Sequence, residues 1–107
     1  MRRGTAPRVE HRDDGLAIAG ELSFDSVAEL VRNGLPPMEG EELAVDLSGV
    51  IRADSAGVAL LVELARRAKA AGVRLRLRNT PEQMLSIMRV SRLEGLLPLD
   101  PPPERSS

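Results

Sequence analysis

The chain has 107 residues, 42% of them hydrophobic, and a formal net charge of -1 at pH 7. This length suits one domain with a single core, and the composition excludes an intrinsically disordered chain. The only aromatic residue is Phe24 and there is no cysteine, so we expect an aliphatic core without disulfides or cysteine-ligated metal. A net charge near zero provides no basic field to attract nucleic acid.

Neither end of the chain has the pattern of a folded element. We expect a flexible N-terminus over residues 1–8, a single domain over residues 9–99 and a disordered Pro-rich tail over residues 100–107. No apolar h-region follows the first arginines, and no apolar run approaches the ~18 residues that a membrane-spanning helix needs. The expected protein is soluble and cytoplasmic, without direct membrane insertion, and any membrane association must come through a partner.

The first predicted element is a β-hairpin. Two short runs, residues 9–12 and 16–20, flank Asp13-Asp14-Gly15, and an Asp-Gly turn between such runs is typical of a hairpin. His11 is the only histidine. It falls on the first predicted strand, and the sequence has no second histidine to accompany it. We therefore expect an exposed strand residue and not a catalytic base or a metal ligand.

A short amphipathic helix is predicted next. From Asp25 the apolar residues Val27, Leu30 and Val31 recur at helical spacing, and Asn33-Gly34 marks the end. The acidic and polar residues 35–42 that follow are expected to form a solvated loop.

The central stretch predicts a strand, a loop and a long helix. Leu43, Val45 and Leu47 alternate as in a strand, which is expected to break at Ser48-Gly49. The helical pattern then runs from Ser55 to Ala71.

Asp54 and Ser55 stand at the start of this helix. Asp54 is predicted to be its N-cap, because a carboxylate accepts hydrogen bonds from the unpaired amides of the first turn and suits the positive helix end. The hydroxyl of Ser55 is therefore expected to be presented at the mouth of the helix. It can serve either as a contact for a partner or as a phosphorylation site, where phosphate would be held by the helix amides or would repel an acidic partner.

The two faces of the central helix differ at 100° per residue. The apolar arc comprises Val58, Leu61, Val62, Leu64, Ala65 and Ala68, and the polar arc comprises Glu63, Arg66, Arg67 and Ala70. Near the N-terminus the polar arc contains Ala56 and Ala59, with Leu60 at its border. Such a small uncharged patch suits close approach of another protein, although ordinary surface alanines give the same pattern.

The last third predicts a strand, a helix and a final short strand. Val73, Leu75 and Leu77 alternate with Arg74, Arg76 and Arg78. Without aromatic platforms or a Gly-rich phosphate loop, this arginine row is better explained as a solvated sheet face than as a phosphate or RNA site.

The following helix is predicted to start at Thr80-Pro81-Glu82-Gln83, with Thr80 as N-cap and Gln83 at the capping-box position. Its apolar side is expected to contain Met84, Leu85, Ile87, Met88 and Val90, and residues 93–99 are expected to form a last turn and strand. The one-sided strands together predict an α/β fold, a sheet covered mainly on one face.

No catalytic or metal motif is present. Ala53-Asp54-Ser55-Ala56-Gly57 resembles a nucleophile elbow, but Ala53 replaces its first glycine and the only histidine lies upstream. There is no phosphate-binding glycine motif and no metal-spaced cluster. We therefore expect neither an enzyme nor a metal site.

The pattern Asp46-Leu47-Ser48-Gly49-Val50 followed by Asp54-Ser55-Ala56-Gly57-Val58 resembles the STAS domain family over about residues 9–99. The resemblance implies a small mixed β-sheet with helices packed mainly on one face. In the anti-sigma-factor antagonists of this family, the serine matching Ser55 is phosphorylated by a kinase partner. Ala56 and Ala59 depart from the residues common in those antagonists.

The variant Asp-Ser-Ala-Gly-Val-Ala-Leu-Leu, with Leu16-x-Ile-x-Gly-Glu-Leu-Ser-Phe-Asp25, is more similar to the cytoplasmic STAS subunit of the Mla phospholipid-transport ABC system. This resemblance implies docking on an ABC ATPase subunit, and through it on a membrane permease, by the residue matching Ser55. The alternatives are an anti-sigma kinase as partner and an interaction domain of another signalling complex, and dimerisation stays open. The predicted partner-binding residues are Ser55, Asp54, Ala56, Ala59, Leu60, Arg52, Phe24 and Asp25.

Overall fold

The computed structural model describes residues 6–100, which form a five-stranded mixed sheet and three helices. The elements in chain order are β1 (Arg8–Arg12), β2 (Gly15–Leu22), α1 (Phe24–Arg32), β3 (Glu42–Ala53), α2 (Ser55–Ala71), β4 (Arg74–Arg78), α3 (Glu82–Val90) and β5 (Leu99–Asp100). Flexible ends were predicted at residues 1–8 and 100–107, of which residues 1–5 and 101–107 lie outside the described residues. Within the described chain, Arg8 begins β1 and Asp100 ends β5.

The strands lie in the sheet in chain order, from β1 to β5. β1 and β2 form the predicted antiparallel hairpin, and the other neighbours are parallel. Parallel neighbours require crossover connections, which the helices supply. Because α2 contacts both α1 and α3, the three helices of the described chain lie on one face. The predicted α/β fold, with a small mixed sheet and helices mainly on one face, is confirmed.

The core is aliphatic, as expected from the composition. It lies between the sheet and the helices, and its fully buried large side chains are Ile18, Leu22, Val45, Leu47, Leu60, Leu61, Leu64, Leu77, Met84 and Met88. The two methionines of α3 are therefore core residues. Burial of such side chains is the main favourable term in folding.

The opposite face of the sheet is charged. Within the described chain, the predicted arginine row of β4 is paired with carboxylates of neighbouring strands and of the hairpin turn. The contacts join Arg74 to Glu42, Arg76 to Glu42 and Asp100, and Arg78 to Asp14, at N–O distances of 3.2 to 3.5 Å. These exposed pairs make a solvated sheet face.

The prediction that the strand after Leu43 breaks at Ser48-Gly49 is wrong, because β3 continues to Ala53. Its register against β2 shifts twice, between Ala17 and Ala19 and between Gly20 and Glu21. At each shift β3 contains one extra residue, so these are β-bulges that bend the strand without ending it. Arg52 therefore lies on the strand and not in a preceding loop.

A side-chain clamp holds the first bulge. The carboxylate of Asp46 accepts hydrogen bonds of 2.9 Å from the backbone N–H of Ser48 and from the side-chain amide of Asn79. Asn79 follows β4 and lies 33 positions along the chain from Asp46. Since this partner is distant in sequence, the local Ser-Gly signal could not reveal that the strand continues.

Three predictions about α3 are also wrong. Its N-cap is Pro81, with no side-chain cap, and not Thr80. Gln83 accepts a hydrogen bond from the backbone N–H of Ala53 instead of completing a capping box, so a tertiary contact replaces the local one. Val90 is 85% exposed and contributes nothing to the core.

Candidate functional site

Two helices begin side by side at one edge of the sheet. α1 follows β2 and α2 follows β3, and these two strands are adjacent and parallel. The carboxyl ends of parallel strands meet at the same edge of a sheet, which is where ligands of open α/β sheets commonly bind. The starts of α1 and α2 are therefore the first place to look for a site.

The predicted cap of α2 is confirmed. Asp54 Oδ1 accepts a hydrogen bond of 2.8 Å from the backbone N–H of Ala56, which satisfies one of the unpaired amides of the first turn. The backbone N–H of Asp54 donates to the carbonyl oxygen of Leu22 at 3.1 Å. This second bond ties the start of α2 to the end of β2.

The start of α1 is fixed by a serine pair. Ser23 Oγ accepts from the backbone N–H of Ser26 at 3.4 Å, and Ser26 Oγ accepts from the backbone N–H of Ser23 at 2.8 Å. Such a reciprocal capping box satisfies two backbone donors at once. It orients the first turn of α1, where Phe24 is 76% exposed.

An apolar groove of about 380 Å³ lies between the first turns of the two helices. Its lining residues are Phe24, Val27, Ala28, Asp54, Ser55, Ala56 and Ala59. We call it the α1–α2 groove. It brings together five of the predicted partner-binding residues, and Ser55 lies exposed at its mouth.

Val27 and Ala28 were missed by the sequence reasoning. Ala28 lies four positions after Phe24, so the two share one helix face. Helical spacing from Phe24 was the signal that could have identified it. Val27 is half-buried and was assigned to the core side of the helix.

The prediction that Leu60 contributes to the contact surface is wrong, because Leu60 is only 1% exposed. Leu60 lies one turn after Gly57, which lacks a side chain. A Cβ at Gly57 would lie 3.1 Å from the Cβ atoms of Ala53 and Leu22. The first turn of α2 is therefore close to the sheet, and the Leu60 side chain is buried in the core.

Asp25 and Arg52 lie beside the groove and do not line it. They line an adjoining polar notch of about 400 Å³, with Glu21, Leu22, Ser23, Ala53, Asp54 and Gln83. Asp54 borders both the notch and the groove. The Arg52 guanidinium lies 3.6 Å from a carboxylate oxygen of Glu21. Since the notch combines three carboxylates with one guanidinium, its local charge is negative.

The geometry gives no support to hydrolytic chemistry at Ser55. His11 lies on β1, in a separate pocket beside the hairpin turn, and a serine nucleophile needs a base within hydrogen-bond reach. Residues 6–100 contain no cluster of three or more His, Cys, Asp or Glu side chains suited to a metal ion. Within the same residues, no helix is long and apolar enough to span a bilayer.

One comparison with known proteins identifies a family for this chain. The profile of the family described as "Mlab, STAS domain" matches residues 6–98. No curated protein matches the chain. The matched range contains all three helices described above, the α1–α2 groove and the polar notch. The chain therefore belongs to the STAS domain family, in its MlaB-like group.

Proposed function

We propose that this chain is a non-catalytic accessory subunit of a phospholipid-transport, Mla-type ABC transporter. In this proposal it is cytoplasmic, and it binds and activates the ATPase subunit to support outer-membrane lipid asymmetry. The observation that carries the proposal is the α1–α2 groove, in which Phe24, Ala56 and Ala59 form an apolar surface beside the exposed Ser55. The MlaB-like family match supports the transporter as the setting.

Each groove residue has a distinct part in the proposed docking. Phe24 is the anchor, because an exposed aromatic ring gains about 1.5 to 3 kcal/mol when a partner buries it. Ala56 and Ala59 are small and allow close approach of the partner backbone. Ser55 Oγ supplies a hydrogen bond, and Asp54 holds the helix start in place through its bond to Ala56.

A phosphorylation-controlled anti-sigma-factor antagonist is the competing function. Exposure of Ser55 would suit a kinase. The surroundings suit phosphate poorly, because the Ala56 amide is already bonded to Asp54 and the adjoining notch contains the carboxylates of Asp25 and Glu21. A phosphate of about -1.5 to -2 charge would be repelled there.

Affinity isolation from detergent-solubilised cells of the protein's own source tests the proposal. The tagged chain is compared with Ser55→Asp and Ala59→Arg, and co-purifying chains and Ser55 itself are examined by mass spectrometry. Ala70→Arg is the matched control, because Ala70 is exposed on the same helix, about 16 Å along it from Ala59.

We expect an ABC ATPase and a permease to co-purify with the unaltered chain and with Ala70→Arg. Both are expected to be lost with Ala59→Arg and Ser55→Asp, and Ser55 is expected to be unmodified. Recovery of a soluble kinase together with phosphate on Ser55 would overturn the proposal in favour of the anti-sigma-factor antagonist. Equal recovery of the ATPase with Ala59→Arg would contradict the groove as docking site.

A further inference from the structure

We infer that the occupant of the α1–α2 groove is an amphipathic α-helix of the partner, with a Lys or Arg side chain placed against Asp25 and Asp54. The inference rests on the proposed function, because it takes the groove as the docking site. It adds the shape of the partner segment, its charge and its direction on the surface.

The first argument is the spacing of the exposed uncharged side chains. On α1, Val31 follows Ala28 by one turn and is 37% exposed; on α2, Val62 follows Ala59 by one turn and is 40% exposed. The eight residues from Ser55 to Val62 span about 10.5 Å of helix, or two turns. A helix that presents apolar side chains at positions i, i+3 or i+4, and i+7 matches a strip of this length.

The groove does not suit an extended peptide as its occupant. The groove is formed by two helices, whose backbone N–H and C=O groups beyond the first turn are bonded within the helix. An extended peptide gains affinity mainly by pairing with a free strand edge, and none of the lining residues of the groove lies on a strand. Recognition here must therefore come from side-chain packing between helices.

The two ends of the α1–α2 surface differ in charge. At the helix starts, the polar notch holds the carboxylates of Asp25, Asp54 and Glu21 and the guanidinium of Arg52, so carboxylates outnumber guanidinium groups there by two. At the far end, α1 carries Glu29 and Arg32, and Arg66 and Arg67 share Glu63 on α2 at 2.7 Å, so arginines outnumber carboxylates there by one. One end of the surface is negative and the other is positive. Complementary charge at the rim steers encounter and fixes orientation, so the cationic side chain of the partner belongs at the Asp25–Asp54 end.

A second copy of this chain fits less well. Two copies in antiparallel orientation would also match negative ends with positive ends. However, each copy presents a concave groove, and two concave surfaces leave the space between them unfilled, which forfeits packing energy. A single protruding helix fills the groove.

The test uses the full chain and the ATPase subunit that co-purifies with it. Affinity is measured at low and at physiological ionic strength for the unaltered chain, Asp25→Asn and Asp13→Asn. Both substitutions remove one exposed carboxylate, and Asp13 lies in the hairpin turn away from the groove. We expect Asp25→Asn to weaken binding about three- to fivefold at low salt and less at physiological salt, and Asp13→Asn to change nothing.

Photo-crosslinking then identifies the segment. A benzophenone side chain replaces Val31 or Val62, which are exposed at the end of the strip and do not line the groove, and the cross-linked peptide is sequenced. We expect both positions to mark one helix of the ATPase, which has a Lys or Arg within one turn of the apolar residues. A cross-link to a loop or to a second copy of this chain would overturn the inference.

The outcomes separate this inference from the proposed function. If Ala59→Arg abolishes binding and Asp25→Asn behaves like Asp13→Asn, the groove remains the docking site and the inferred cation is wrong. If Ala59→Arg leaves the affinity unchanged, the groove is not the docking site and both fail.

Discussion

Gln83 on α3 accepts a hydrogen bond of 2.9 Å from the backbone N–H of Ala53, two residues before α2 begins. The next residue, Asp54, donates its own backbone N–H to Leu22 at the end of β2. The start of α2 is thus tied to the sheet on one side and to α3 on the other. This support positions Ser55 at the mouth of the groove.

Replacing Gln83 with Met removes the acceptor at nearly the same side-chain length. We expect a loss of about 1 kcal/mol in the free energy of unfolding, measured in urea. Backbone amide exchange gives the local readout, since the Ala53 amide should exchange faster in Gln83→Met. The Ala56 amide, bonded to Asp54, is the internal control. Unchanged exchange at Ala53 would show that the bond does not support the start of α2.

Replacing Thr80 tests whether this residue caps α3, as the sequence predicted, or not, as in the structure. Its hydroxyl oxygen is buried and has no hydrogen-bond partner within residues 6–100. Thr80→Val keeps the shape and removes the unsatisfied group, so stability should be unchanged or increased. An N-cap role would instead make the substitution cost about 1 kcal/mol. Thermal or urea unfolding of the two proteins distinguishes these results.

Asn79 is the distant half of the clamp on β3. Its side-chain amide lowers the pKa of the Asp46 carboxyl below the usual value, and the backbone N–H of Ser48 adds a smaller effect in the same direction. Asn79 also has a φ of 56°, which asparagine tolerates better than most residues. Asn79→Ala should therefore raise the pKa of Asp46 and cost about 1 to 2 kcal/mol of stability.

Asn79→Gly separates the two effects of that substitution. Glycine adopts the positive φ without strain but offers no side-chain donor. The pKa of Asp46, followed by NMR titration, should rise as much as in Asn79→Ala, while stability should fall less. An unshifted Asp46 in both variants would contradict the clamp.

Glu63 gives a prediction for pH. Hydrogen bonds from Arg66 and then Arg67 lower the pKa of Glu63 from 4.5 to about 2. A carboxyl whose pKa is lower in the folded state stabilises the fold above its unfolded pKa. That contribution is complete above pH 4.5, declines as the pH falls and is gone near pH 2. Glu63→Gln should therefore be less stable than the parent protein at pH 7, with the difference vanishing near pH 2. Because the Glu63 side chain is partly exposed, added salt should reduce the stability difference between the two proteins.

Sequence signals predicted correctly those elements whose conformation is determined by neighbouring residues. Asp54 before an apolar run marked the start of α2, and Gly72, with a φ of 73°, marked its end, since glycine readily takes a left-handed cap. Alternation of Val73, Leu75 and Leu77 identified β4. The positions of Ala56 and Ala59 on the outward face of α2 followed from the helical period alone.

Sequence reasoning failed where a distant residue decides the conformation. β3 continues because it pairs with β2 as far as Ala53. Asn79 bonds to Asp46 at the first bulge and Gln83 bonds to Ala53, across 33 and 30 positions. Leu60 is buried because Gly57 brings α2 close to the sheet, which no periodicity reveals. The groove forms only where α1 lies beside α2. Ala28 could therefore be assigned to the site only from the folded structure.

The most direct test of the groove as docking site is hydrogen exchange of the chain alone and in complex with the co-purified ATPase subunit. The amides of a helix start are held by caps and a single turn of hydrogen bonds and exchange faster than those of the helix interior, so burial there is measurable. The account predicts slower exchange over residues 24–28 and 55–59, with no change on the arginine face of β4. Slower exchange on β4 with unchanged helix starts would contradict it.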